Sequence, residues 1–400
     1  MSEKSIVYWA SPYELSAVVN SSKNMMTNNL VKTRFVLDKI LDNINSGDKV
    51  GVKVRVGEAY NTRYLRHDYV REVIEVVKLK GGIPTLIETQ GIGMELHLVD
   101  VPNACTICLG SRKTAIEHRK IADLHGYTES IVGAPLKFID GDIGIDGKDV
   151  EIDGIHLKNV SVGSGIFKFD KLIIISHFKG HPQAGFGGAF KQLGIGCVTK
   201  RNKFLAHFIG KPETTKKCEI SNCNQECVKA CPVNAIKIEI DHAVIDPDIC
   251  IGCLGCDEVC PVRKAIKSAA LYDFKTFCEN FIDNASAVIK SFGSEKIRYI
   301  SFAFDIPLMC DCITNANMPI IPDLGIFGSS DPLAIDKACI DMETMAPGLP
   351  IMDAKGEWKA PLPSGVEKFK GMNASIDPMW QLDAAIKNKL GNPNYELIKI

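Results

Sequence analysis

Cys250-x2-Cys253-x2-Cys256-x3-Cys260, with Pro261 directly after it, has the spacing that wraps a chain around an iron–sulfur cube. The tight loop presents three thiolates to three irons of one cube. The fourth cysteine, followed by proline, points to a neighbouring cube. Gly252 and Gly255 let the backbone pass close to the sulfurs and aim N–H groups at them. A second set lies upstream at Cys218-x4-Cys223-x3-Cys227-x3-Cys231-Pro232, with the same Cys-x3-Cys-Pro ending and two longer spacings before it. The crossed pattern predicts that Cys231 joins Cys250, Cys253 and Cys256 on one [4Fe–4S] cluster, and that Cys260 joins Cys218, Cys223 and Cys227 on the other. The longer upstream spacings leave open a labile iron or a three-iron cluster at the second site. Two adjacent cubes imply electron transfer, with a purely structural pair as the alternative.

A second group of reactive residues is His177-Phe-Lys179-Gly-His181-Pro-Gln-Ala-Gly185-Phe-Gly187-Gly188-Ala-Phe-Lys191, which follows the apolar run Leu172 to Ile175. Ligands in open α/β sheets sit at the carboxyl ends of strands. Gly185, Gly187 and Gly188 suit a loop whose backbone approaches a ligand or anion, with His177 and Lys179 beside it. His181 and Lys191 are candidate catalytic residues, and His207, further on, is a candidate metal ligand. Cys105-x2-Cys108 reads as buried thiols or a local redox pair. Cys310-Asp-Cys312 reads as two thiols on one face of a strand, with Asp311 opposite, and Cys197 or Cys339 as possible companions.

These groups need a scaffold. Val50, Val52, Val54 and Val56 alternate with Gly51, Lys53 and Arg55, which is strand periodicity. Val70, Val73, Ile74 and Val77 share a helical face, with Asp68 as candidate cap and Gly81-Gly82 as its stop. A strand resumes from Pro84 to Glu88, and another spans Arg298 to Phe304. Ser330-Asp331-Pro332 starts a helix. The expected fold class is α/β: an N-terminal α/β domain over 1–210, a small cysteine-rich α+β module over 211–268, and a C-terminal α/β portion over 269–400. Asp323 and Asp331 read as turn or cap residues, and the Gly141–Gly147 stretch as a hairpin turn.

The chain has 400 residues, net charge −1, 46% hydrophobic and 24% charged residues. That balance offers no broad basic field for nucleic acid. No apolar stretch is long enough for a membrane span, and MSEKSIVYWASPYEL lacks the pattern of a signal peptide. A cytoplasmic location is expected. Fifteen cysteines in such a chain read as metal ligands rather than a disulfide framework.

Several stretches resemble the iron–sulfur centre proteins grouped as domain of unknown function 362. They are Gly110-Ser-Arg-Lys-Thr-Ala115, the run over 177–191, Leu193-Gly-Ile-Gly-Cys197, Cys310-Asp-Cys312 with Pro322-Asp-Leu-Gly-Ile326, and Asp331-Pro-Leu-Ala-Ile-Asp336. The likeness covers about 48 to 345 and carries no settled activity; the module within it resembles a two-cluster bacterial ferredoxin. His181-x3-Gly-Phe-Gly-Gly-x2-Lys191 is also similar to the His-x3-Gly-Phe-Ser-Gly-Gly-x-Lys run of nickel-pincer lactate racemases, and Asn61-Thr62-Arg63 to their Thr-Arg segment. That resemblance implies His181 as catalytic acid/base, Lys191 as the covalent anchor of a pincer-type nucleotide, His207 as ligand of a further metal, and Arg63 on the anionic ligand. It departs at Gly110-Ser111-Arg112, where those racemases carry a second catalytic histidine. Racemisation needs a base on each face of the substrate carbon.

Two functions compete. One is an oxidoreductase whose clusters exchange electrons with a small molecule in a cleft between the α/β portions. The other is a ferredoxin-like electron carrier or metallocentre assembly factor acting on a partner protein.

Overall fold

The computed structural model describes residues 4–12, 28–92, 95–96, 107–108, 112–252, 254–262, 265–267, 272–314, 318–353 and 355–400. Cys105, Gly110, Ser111 and Cys253 lie outside the described residues.

Among the described residues, eight strands share one sheet: β1 (Ser5–Ala10), β2 (Lys49–Lys53), β3 (Ile83–Glu88), β4 (Leu136–Phe138), β5 (Lys171–His177), β6 (Ile297–Ala303), β7 (Gly325–Ser329) and β8 (Tyr395–Lys399). Their order is β8-β1-β7-β6-β5-β2-β3-β4. The block from β6 to β4 is parallel. β7 runs antiparallel to both its neighbours, and β8 lies parallel to β1. Strands from before and after the cysteine-rich segment therefore pair directly, β5 with β6.

The unbroken apolar run of β5 has a simple cause: both of its faces are buried. Leu172 and Ile174 belong to one core layer, Ile173 and Ile175 to the other. On the second face lie α1 (Asn29–Ile40), α2 (His67–Leu79) and α3 (Ala115–Leu124), through Val36, Val70, Ile74 and Ala122. On the first lie α4 (Ala189–Gly194), α5 (Lys200–His207), α6 (Phe274–Phe292), α7 (Pro332–Met345) and α8 (Met379–Lys387), through Phe190, Ala206, Phe281, Ala334 and Leu382. The result is a three-layer α/β/α fold.

Local rules explain most of the boundaries. Asp331 caps α7 by accepting from the N–H groups of Leu333 and Ala334, and Pro332 sits in the first turn. α2 starts two residues earlier than expected. Arg66 is its cap residue, and Asp68 lies inside the first turn, where a carboxylate suits the helix dipole.

The cysteine-rich segment leaves and rejoins the main body through a short antiparallel ladder, Glu213–Thr214 against Ile266–Lys267. Within it, Ile236–Glu239 and His242–Ile245 form a hairpin, and Glu226–Ala230 and Gly255–Glu258 are short helices.

One strand expectation fails. Residues 310–312 form a turn rather than a strand, and Cys310 and Cys312 are bonded to each other rather than grouped with Cys197 or Cys339. The cause is Asp311. Its buried carboxylate is drawn to Arg55 (3.0 Å) and Lys179 (2.8 Å), which folds the chain inward at that point.

Candidate functional site

The cysteines divide between two small apolar cavities. Cys218, Cys223, Cys227 and Cys260 line one with Ile220, Ile238 and Val262. Cys231, Cys250 and Cys256 line the other with Ile236, Ile245 and Leu254. This is the crossed arrangement: the last cysteine of each motif faces the other motif's cavity. Backbone N–H groups already point at the sulfurs, from Ala243 to Cys218 Sγ (3.3 Å), Ala235 to Cys231 Sγ (3.2 Å) and Gly252 to Cys250 Sγ (3.4 Å). Gly252 holds φ at +69°, a left-handed turn that favours glycine. Thiols converging in apolar surroundings with amide donors fit iron–sulfur clusters. They do not fit a disulfide network, since these cysteines are free.

A larger cavity of about 210 Å³ opens where the parallel strands end. Arg55 follows β2, Glu88 ends β3, His181 follows β5, and Met309 and Cys312 follow β6; all four regions line it. Lys191 from α4, Lys203 and His207 from α5, and Arg112 complete the polar wall. A smaller annex of about 30 Å³ lies beside it, lined by His177, Lys179, Gly187, Gly188, Lys191, Cys310 and Asp311.

The two histidines of the main cavity hold opposite tautomers. His181 Nδ1 accepts the backbone N–H groups of Gln183 (3.2 Å) and Ala184 (3.0 Å), so the neutral ring carries its proton on Nε2. His207 Nδ1 lies 2.7 Å from the Lys203 carbonyl, to which it must donate, so its Nε2 keeps a free lone pair. Both rings pack on Phe277. Burial, then the neighbouring Lys191, holds His181 well below the ordinary histidine value; burial brings His207 down to about 4. One ring is thus a hydrogen-bond donor and the other an acceptor.

Cations crowd this wall. Arg112 pairs with Glu58 (3.1 Å), and Arg55 with Asp311 (3.0 Å). Burial, then Arg55, pushes the Lys191 amine well below its usual value. Around the annex, Phe304 C=O accepts from His177 Nε2 (2.7 Å), and His177 Nδ1 accepts from Lys179 (2.8 Å), which pairs with Asp311. Burial lowers His177 to about 3 and Lys179 to about 8. Burial raises Asp311, but Lys179 and Arg55 outweigh it and hold the carboxyl below the ordinary range.

Of the residues singled out in the sequence, His181, Lys191 and His207 meet in the main cavity; His177, Lys179, Gly187 and Gly188 meet in the annex. Gly185 and Arg63 line neither. Gly185 (φ +80°) sits in a hairpin against Pro378, and Arg63 pairs with Asp305. Gly188 also has a packing role. A Cβ there would stand 2.3 Å from Asp336 Oδ1, and that carboxylate caps α4 through the N–H groups of Ala189 (2.7 Å) and Phe190 (3.1 Å). Arg55, Glu88 and Lys203 carry no functional motif; the sequence reads Arg55 only as part of a strand and Lys203 only as part of a short lysine-rich surface stretch, whereas Lys203 is buried at the cavity wall.

Residues 50–341 match the family described as domain of unknown function (DUF362), and the chain belongs to it. The chain is 43% identical over 63 residues to a ferredoxin of Alicyclobacillus acidocaldarius subsp. acidocaldarius, covering 15% of this chain and 81% of that protein. It is 46% identical over 48 residues to the ferredoxin 7Fe of Hydrogenibacillus schlegelii, covering 12% of this chain and 60% of that one. The solved lactate racemase apoprotein from Thermoanaerobacterium thermosaccharolyticum is similar with a TM-score of 0.38 at 10% identity, over 86% of this chain and 58% of that one. The α/β class rests on the sheet itself. Among the described residues, no helix is long and apolar enough to cross a membrane.

Proposed function

We propose that the chain is an iron–sulfur electron-transfer protein with two [4Fe–4S] clusters, serving a small anionic molecule bound in the strand-end cavity. Cys231, Cys250, Cys253 and Cys256 would hold one cluster, and Cys218, Cys223, Cys227 and Cys260 the other. When bound, the clusters supply one-electron couples at low potential. The observation that carries this reading is the crossed division of the cysteines between two apolar cavities, one of which adjoins the larger cavity. Leu254, from the Cys250 loop, packs on Phe204 and Phe208, and Phe208 lines that larger cavity. The Cys231 set is then proximal to the cavity and the Cys218 set distal.

The chain's own groups have distinct parts. Arg55 and Lys191 would bind the anion, whose charge offsets the crowded cations. His181 would donate a hydrogen bond from Nε2, and His207 would take a proton at Nε2 or ligate a further metal, its Nδ1–H being held by the Lys203 carbonyl. Lys191, whose amine faces the cavity and is held well below its usual value by burial, has the chemistry needed to anchor a pincer-type nucleotide. Thiolate ligation suits a reducing compartment such as the cytoplasm. The neck at Glu213–Thr214 and Ile266–Lys267 supports residues 211–268 as a separate module.

A second reading has its own observation. Ile209, Ile240 and Ile249 stand exposed on and beside the cysteine-rich segment, Ile240 at 99%. In that reading they meet a redox partner protein, and the cavity is secondary.

The test is an anaerobic reductive titration followed by electron paramagnetic resonance. The parent should take up two electrons per chain in cluster signals, and Cys218→Ser should lose the distal signal and keep the proximal one. Loss of both signals in Cys218→Ser, or a parent with a single cluster, would contradict the assignment. Cluster reoxidation that proceeds only with an added protein, and with no small molecule retained, would favour the second reading.

A further inference from the structure

We propose that Cys310 and Cys312 form a redox-active dithiol–disulfide pair at the cavity wall, which exchanges with a small thiol or disulfide compound entering the cavity. The inference goes beyond electron transfer by the clusters and does not depend on their being filled.

The bridge spans a sequence separation of two. Disulfide stabilisation through chain entropy grows with the length of the loop closed, so this bridge constrains almost nothing. A three-layer fold of this size has no need of it either. What the bridge has is position. Cys310 is 2% exposed and faces the annex, whereas Cys312 is only partly buried and lines the main cavity. An incoming sulfur therefore meets Cys312, and Cys310 is the shielded leaving group. The turn is held from several sides: Asp311 by Arg55 and Lys179, the Asp311 carbonyl by the Glu58 N–H (2.9 Å), and the Ile313 carbonyl by Asn61 Nδ2 (2.8 Å). The Cys312 N–H lies 3.4 Å from Cys310 Sγ and offers that sulfur a donor when it leaves.

A ring nitrogen of His181 and the two sulfurs lie within 4.8 Å of one another, which invites a metal reading. The tautomer argues against it. A metal-ligating histidine uses one nitrogen's lone pair and donates from the other. Here the Nδ1 lone pair is taken by two backbone N–H groups, and Nε2 holds the proton. His181 is thus a hydrogen-bond donor beside the sulfurs.

The exchange balances. The thiolate of a first R–SH attacks Cys312 Sγ; the Cys310–Cys312 bond breaks, a mixed disulfide forms on Cys312, and Cys310 leaves as thiolate. A second R–S⁻ attacks the R sulfur of the mixed disulfide, releasing R–S–S–R and the Cys312 thiolate. The two protons of R–SH pass through solvent to the two cysteines. Two R–SH are oxidised and one protein disulfide is reduced; run backwards, the pair reduces a disulfide.

The test uses anaerobically purified holoprotein equilibrated with set ratios of reduced to oxidised dithiothreitol, acid-quenched, alkylated and digested. Residues 299–337 form one tryptic peptide that carries both cysteines. The doubly alkylated to disulfide ratio of that peptide should change about tenfold for each tenfold change in the dithiothreitol ratio, reversibly. In single variants of the folded protein, Cys312 in Cys310→Ser should be alkylated at least about tenfold faster than Cys310 in Cys312→Ser. A peptide that stays wholly disulfide or wholly dithiol over the range, equal alkylation rates, or protection of both thiols by stoichiometric added zinc would overturn the proposal. Iron measured on the same samples keeps a failure of the cluster reading distinguishable from a failure of this one.

Discussion

His181 and His207 share a cavity and the same chemical identity, yet backbone groups fix them in opposite roles. A carbonyl four residues back in α5 makes His207 an acceptor at Nε2, and two amides ahead of His181 make it a donor. His177 is held neutral by the same means. The unfolded ring binds a proton near pH 6.5, whereas the folded ring, buried and facing Lys179, does so only at about 3. Below pH 6.5 the unfolded state therefore binds a proton that the folded state refuses, and stability is lost as the pH falls from about 6.5 towards 3. This one group should contribute a slope of up to about 1.4 kcal/mol per pH unit in that window. Denaturant midpoints at pH 7 and pH 4.5 should show a larger loss in the parent than in His177→Gln; equal losses would remove His177 from the account. Motif density drew attention to His181, Lys191 and His207. The ion pairs of Arg55 with Asp311 and Arg112 with Glu58 join residues far apart in sequence, and no local pattern records such pairings.

α4 is the element that sets the site, since it carries Lys191 to the cavity. Its N-terminus is held by the buried Asp336 carboxylate, which burial lifts to about 7, and its far end presses on α6. A Cβ on Gly194 would stand 1.9 Å from the Phe281 carbonyl oxygen, a backbone atom that cannot turn aside. Asp336→Ala leaves two buried N–H groups without acceptors and should cost about 1–3 kcal/mol. Gly194→Ala should cost at least about 1–3 kcal/mol. Both are read from denaturant midpoints, and a change under about 0.5 kcal/mol in either would show that α4 is not anchored in this way. The strands and helices themselves were largely legible, because period-2 and period-3.6 apolar patterns and the Asp331-Pro332 start follow local physics. The turn at Cys310-Asp-Cys312 was not, because a charge network from Arg55, just after β2, and Lys179, just after β5, overrides the local strand pattern.

At the scale of the molecule, one sheet gathers strands from both sides of the cysteine-rich segment, and their carboxyl ends bring Arg55, Glu88, His181 and Cys312 to one cavity. The N- and C-terminal portions expected from the sequence contribute to that single sheet, since sequence order does not reveal that β5 pairs with β6. The segment between them is of the ferredoxin type, and its Leu254 rests on the aromatic pair Phe204 and Phe208 that leads to the cavity wall. The crossed division of its cysteines is the feature on which the function turns. The most direct test is iron and acid-labile sulfide per chain in anaerobically purified protein, with zinc measured alongside. Two [4Fe–4S] clusters require about eight irons and about eight sulfides per chain without zinc; about four irons, or zinc in place of iron, would contradict the account.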